Sequence, residues 1–82
     1  MTFGEAVELL RSGKYVSRSG WNGKGMWLHL QVPDENSKMQ EPYIYMNPVG
    51  GKFVPWLASQ TDILALDWAE VLLDTQLELP FD

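Results

Sequence analysis

The amino-acid sequence predicts an α+β fold, a small antiparallel β-sheet with an N-terminal helix and a second short helix. Three observations carry that expectation. Apolar residues recur at helical spacing behind a capping pair near the start, later runs alternate with period two, and glycine, proline and asparagine punctuate the chain between them. With 82 residues and 45% hydrophobic content, the chain can build one core and has little material for a second. The expected organisation is a single domain over 1–82, with a core over 1–73 and a tail over 74–82.

The first helix is expected over about residues 3–12. Thr2 and Glu5 form a capping-box pattern, and Phe3, Ala6, Val7 and Leu10 line one helical face. Gly13 supplies a left-handed end, and Tyr15 to Arg18 reads as a short strand. In the run Met26 to Val32, Met26, Leu28, Leu30 and Val32 are expected to face the core, with Trp27, His29 and Gln31 on the opposite face. The polar, proline-bounded stretch 33–42 reads as a surface connection. Tyr43 to Met46 reads as a strand with Ile44 and Met46 inward, so Tyr43 and Tyr45 join Trp27 and His29 on the second face. After a turn at Asn47 to Gly51, Lys52 to Trp56 reads as a further strand, which Pro55 assigns to an edge or a bulge. Ser59 with Asp62 marks a short helix through Ile63 and Leu64, and Trp68 to Leu73 is the expected last strand. In the tail, Leu77, Leu79 and Phe81 alternate like a strand and read as an intersubunit arm.

Composition excludes several functions. There is no cysteine, so thiol catalysis, thiolate metal sites and a disulfide framework are absent, and a reducing compartment suits the chain. A domain this small gains stability by burial between subunits, which makes a homo-oligomer the expected assembly. Glu5 and Glu8 lie among the apolar residues of the first helix, against a signal peptide or a membrane span. The net charge of −5 argues against broad nucleic-acid binding, although a small anion can still be held locally. Residues 62–82 hold six acids and no base, a pattern that also fits a plain solvated face. The single histidine, His29, has no serine in a nucleophile elbow to serve, and Asp62, Asp67 and Glu70 match no metal-ligand spacing, so neither a catalytic set nor a metal is expected.

The segment Arg18-Ser-Gly-Trp-Asn-Gly-Lys-Gly-Met-Trp27 carries the densest signal. It is not a P-loop: the first glycine is misplaced, no Ser or Thr follows Lys24, and a strand rather than a helix comes next. It also lacks the dinucleotide-fold spacing. Asn22-Gly23 between two strand-like runs is a hairpin signal, and the glycines then serve backbone geometry. That leaves Trp21 unexplained. A large aromatic at a turn tip is expected to have few partners within the chain, and so to act as an interface anchor or as a stacking platform for a flat ligand. Arg18 and Lys24 nearby suit a nucleotide-like anion.

Four blocks in order resemble one family. They are Phe-Gly-Glu-Ala at the start, Arg18-x-Gly-Trp-Asn-Gly-Lys-Gly-Met26, Pro42-Tyr-Ile-Tyr-Met46, and Pro55-Trp-Leu-Ala-Ser-Gln-Thr-Asp62 with Asp67-Trp68. Together they resemble the Thoeris anti-defense two family of small phage-encoded proteins, over roughly residues 1–71. The resemblance implies a non-enzymatic sponge that binds the signal glycocyclic ADP-ribose, some relatives also taking cyclic oligonucleotides. It further implies a homotetramer with ligand pockets between subunits, acting in the cytoplasm of the infected host. No cofactor, metal, nucleic-acid polymer or membrane is expected.

Mapped onto this chain, the resemblance and the contact chemistry together give a candidate ligand-binding set. Trp21 stacks on adenine, with Trp27 or Trp56 as further stacking residues; Arg18 meets the diphosphate with Lys24 in support; and Asn22 adds a polar contact. Ser59, Gln60 and Thr61 offer hydroxyl and amide groups at the start of the second helix. Asp62 either caps that helix or accepts ribose hydroxyls, and Trp56 and Trp68 also fit core or interface positions. Two rival functions stand beside the sponge: a hydrolase of the same signal built on paired acids, and a phage structural or protein-interaction module that uses the aromatics as an interface.

Overall fold

A computed structural model describes residues 1–21 and 25–73. Helix α1 spans Phe3–Arg11 and is followed by strands β1 (Tyr15–Arg18), β2 (Trp27–Gln31), β3 (Tyr43–Asn47) and β4 (Val54–Pro55), then helix α2 (Gln60–Leu64) and strand β5 (Trp68–Val71). The strands form one antiparallel sheet in the order β4-β3-β2-β1-β5. The predicted fold class, element order and alternation therefore hold.

The local causes are those visible in the sequence. Thr2 Oγ1 accepts the Glu5 N–H at 3.2 Å, and Glu5 Oε1 accepts the Thr2 N–H at 2.8 Å, so two otherwise unpaired donors of the first turn of α1 are satisfied. Gly13, at φ 86°, then turns the chain sharply into β1. Ser59 and Asp62 repeat the capping arrangement on α2.

Register fixes the two faces of the sheet. Val16 stands opposite Leu28, Leu28 opposite Met46, and Leu30 opposite Ile44, so these side chains share the inner face. Helix α1 packs over β5, β1 and β2 and also touches α2. Ala6 and Leu10 of α1 meet Val16, Leu28 and Trp68 in the fully buried core. Each large side chain of that core contributes about 1.5–3 kcal/mol by leaving water.

Three expectations are corrected. Val32 is 68% exposed rather than inward, because β2 ends at Gln31 and Pro33 offers no N–H to continue a ladder. The strand expected over Lys52 to Trp56 shrinks to Val54–Pro55 at the sheet edge, where Trp56 adds one further bond by donating its N–H to Ile44 O at 2.9 Å. The last strand stops at Val71, two residues short of the expected end. The expected hairpin tip Asn22-Gly23 and the tail lie outside the described residues.

Candidate functional site

Arg18 closes β1 and organises one corner of the molecule. Its Nε donates to Asp67 Oδ1 at 2.8 Å and its Nη1 donates to Asp62 Oδ1 at 2.9 Å, which ties the strand end to the start of α2 and to the approach to β5. The turn that follows is pinned as well. Gly20 N–H donates to Asp67 Oδ2 at 2.9 Å, Ser19 N–H to Asp67 O at 3.1 Å, and Trp21 N–H to Arg18 O at 3.2 Å. A Cβ at Gly20 would stand 2.9 Å from Asp67 Oδ2, so a side chain there would push that carboxylate away from the turn it holds.

Asp62 sits at the centre of this network. Its Oδ2 accepts from Ser59 N at 3.2 Å and Ser59 Oγ at 2.9 Å, while its backbone carbonyl accepts the Trp68 indole N–H at 2.9 Å. Burial pushes its carboxyl up, but hydrogen bonds from Arg18, Ser59 and Trp21 outweigh that and hold it below the usual carboxylate range. Asp67 is likewise lowered, chiefly by Arg18, against a smaller opposing effect of burial and with further help from Gly20 N–H. The Arg18 guanidinium is in turn held protonated above its ordinary range, first by Asp67 and then by Asp62. One cation between two carboxylates leaves this cluster with a net charge of −1.

These contacts revise the expected roles. Trp21 does have intramolecular partners: its ring meets Trp68 edge-on, with centroids 5.6 Å apart at 80°, and it contributes to lowering the Asp62 carboxyl. The surrounding chain folds the turn inward, so Trp21 is half-buried rather than free at a tip. Arg18 is not an unpaired cation waiting for a phosphate. Asp62 caps α2, and both its carboxylate oxygens are engaged. Ser59 uses its hydroxyl in the same cap, whereas Gln60 and Thr61 are exposed on the first turn of α2. Asn22 and Lys24 lie outside the described residues.

The structure thus gathers Arg18, Trp21, Ser59, Gln60, Thr61 and Asp62 at one corner and separates the other two tryptophans from it. Trp56 lies on the far side of Trp68, 6.0 Å from that ring and 6.2 Å from Phe3. There it lines an open apolar cleft of about 400 Å³, together with Val7 and Arg11 of α1, Leu30 of β2, and Tyr43 and Ile44 of β3. The cleft exists because α1 covers β5, β1 and β2 but stops short of β3. Trp27 is on the opposite face of the sheet.

On that outer face Trp27 stands edge-on to Tyr15 at 4.7 Å, and Tyr15 stacks on His29 at 4.1 Å and 13°. Tyr45 and Phe53 extend the group, with centroids 5.1 Å apart. Burial lowers the His29 pKa, against a hydrogen bond to the Gly13 backbone that favours the cation. Burial also raises the Tyr45 pKa, helped by Tyr15 and Tyr43, and its hydroxyl lies within hydrogen-bond distance of His29 Nδ1, at 3.1 Å. Tyr15 and Phe53 in this group, and Asp67 in the corner, were not singled out for these positions by the sequence. Period-two alternation marks Tyr15 as an outer residue once β1 is placed, but an ion pair spanning 49 positions leaves no local trace. Among the described residues, no group of three or more His, Asp or Glu is placed to hold a metal ion, and no helix is long and apolar enough to cross a membrane.

Fold and site together define a small single-sheet α+β protein whose distinguishing feature is an aromatic and ion-paired corner rather than a deep enclosed cavity. The chain belongs to the Thoeris anti-defense 2-like family, whose domain model matches residues 1–71. It is also 41% identical over 81 residues to Thoeris anti-defense 2 of Bacillus phage SP01, a match that covers 83% of this chain and 91% of that protein.

Proposed function

We propose that the chain acts against Thoeris immunity by binding and sequestering a cyclic ADP-ribose-type signalling nucleotide, glycocyclic ADP-ribose, without degrading it, in the cytoplasm of an infected bacterium. The observation that carries this reading is membership of the Thoeris anti-defense 2-like family, supported by identity with the phage SP01 protein over most of both chains. The corner supplies suitable chemistry. Trp21 offers a partly open ring for a base, and the two ion pairs of Arg18 engage Nε and one N–H of Nη1, which leaves the Nη2 amino group as a donor for a phosphate. Gln60 and Thr61 add polar groups beside it, and the proposed set also takes Asn22 and Lys24, which follow Trp21 in the sequence. Asp62 serves by holding Arg18 and Trp21 rather than by meeting the ligand. Capture of an intact molecule requires only prearranged contacts, and the ion pairs and caps hold this corner in place before any ligand arrives.

The corner is shallow in one chain, so the proposed pocket is completed by a neighbouring subunit of a homotetramer. Support comes from the apolar residues exposed around α2: Leu57 is 90% exposed, Leu66 76% and Leu64 75%. Trp27 and Trp56 are then stacking residues only where a neighbouring chain brings them to the ligand.

The test is to mix the protein with glycocyclic ADP-ribose, measure depletion of the free nucleotide, heat-denature the protein and analyse what is released by mass spectrometry. Intact recovery is expected; an altered product would make the protein a hydrolase, and no depletion would leave an interaction module or another ligand. A parallel arm with cyclic oligonucleotides tests the wider ligand range. Trp21→Ala is expected to weaken binding by about 1–3 kcal/mol in titration calorimetry, the usual effect of removing a stacking ring.

A further inference from the structure

We propose that the apolar cleft between α1 and β3 is the seat of this chain's own acidic segment 74–82, Asp-Thr-Gln-Leu-Glu-Leu-Pro-Phe-Asp. The segment lies outside the described residues, and three observations on the rest of the molecule point to it as the occupant.

The first is the cleft itself. Leu30 and Ile44 pair across β2 and β3 on the inner face and are only partly buried, at the margin where the cover of α1 ends short of β3. The open space of about 400 Å³ is large enough for bulky apolar side chains, and its one charged lining residue is Arg11. The second is the chemistry of the segment. Leu77, Leu79 and Phe81 fall on one side of an extended chain, Glu78 falls between them, and Asp74 and Asp82 stand at the ends. An apolar rib bordered by acids complements an apolar cleft bordered by an arginine.

The third is reach. Tyr15 pairs with Val71, and Leu72 and Leu73 lie against Gly13 and Lys14, so the chain leaves β5 at the end of α1 that carries Arg11. From β5 to β3 is three strand spacings, about 14 Å. Extended chain covers about 3.3 Å per residue, so Leu77 arrives near the cleft and Leu79 and Phe81 extend into it. The family domain ends at residue 71, so the cleft belongs to the shared domain and its occupant lies beyond it.

The chain has no cysteine, which permits a clean distance measurement. Asp82→Cys in the full chain would carry a nitroxide label, and amide signals would be recorded by NMR with the label oxidised and reduced. Loss of intensity is expected at Val7, Leu30, Ile44 and Ala58. Adding Leu79→Asp and Phe81→Asp to the labelled chain should restore those signals while the remaining spectrum keeps its dispersion, since neither residue belongs to a described element. Losses confined to the outer sheet face, or no losses at the cleft, would overturn the proposal. Mixing labelled chain with isotope-enriched, unlabelled chain should leave the enriched signals unaffected. Losses there would overturn the seat within one chain and assign the segment to a neighbouring copy.

Discussion

The two faces of the sheet carry comparable aromatic content and use it in opposite ways. On the inner face Trp68 is sealed beneath α1, with Phe3, Trp21 and Trp56 leaning on it, and its indole N–H is satisfied by Asp62 O. On the outer face Tyr15, Trp27, His29, Tyr45 and Phe53 contact mainly one another, and no described element covers them. The inner group holds the fold and fixes the corner. The outer group rests on a sheet that already stands, with Phe53 exposed and Trp27, His29 and Tyr45 partly so.

The contrast can be broken most sharply at Trp68. Trp68→Ala should cost about 3–5 kcal/mol, read as a lower urea midpoint, because it opens a cavity and removes the contact shared by Phe3, Trp21 and Trp56. A loss below about 1 kcal/mol would mean that the inner group is not the organising core. Trp27→Ala, by comparison, should cost about 1–2 kcal/mol in the same measurement, since it removes ring contacts from a half-exposed position. If Trp27 also anchors a neighbouring subunit, the particle mass in light scattering should fall, a response not expected of Gln31→Ala on the same face.

Arg18→Gln tests how the corner is held together. Asp62 and Asp67 titrate below their usual range in the fold, so the ion pairs stabilise above the unfolded carboxylate pKa of about 3.9 and lose that contribution as pH falls through the lower folded values. The urea midpoint of Arg18→Gln should therefore lie below that of the parent at pH 7, with the gap narrowing at pH 3. A constant gap would exclude the ion pairs as its cause. The smallest expected effect belongs to His29. Its folded pKa is lowered by burial, so the neutral ring stabilises above about pH 6.5 and that contribution fades on acidification. The parent should lose slightly more stability between pH 7 and pH 5 than His29→Gln does.

Much of this architecture was legible locally. The two capping boxes, the positive-φ Gly13 and the alternation of β2 and β3 each depend on residues a few positions apart, and all three appear where the sequence puts them. Pro55 likewise falls on an edge strand. What the sequence concealed was long-range. The burial of Trp21 depends on Trp68 and Asp62, more than forty positions away, and a turn read in isolation looks as though it projects into solvent. Arg18 looked like a free cation because both of its carboxylate partners follow it by more than forty residues. The apolar cleft was hidden for another reason: it results from a helix narrower than the sheet beneath it, and no single segment encodes that mismatch.

Gly20 has a mechanical consequence. Its missing side chain lets Asp67 clamp the turn from one side, while Arg18 reaches through to Asp62 on the other. Two separate stretches of chain are thereby riveted to one short turn, and the indole of Trp21 packs back from the joint onto Trp68. The turn, the cap of α2 and the approach to β5 therefore share one set of contacts, through Arg18, Asp62 and Asp67.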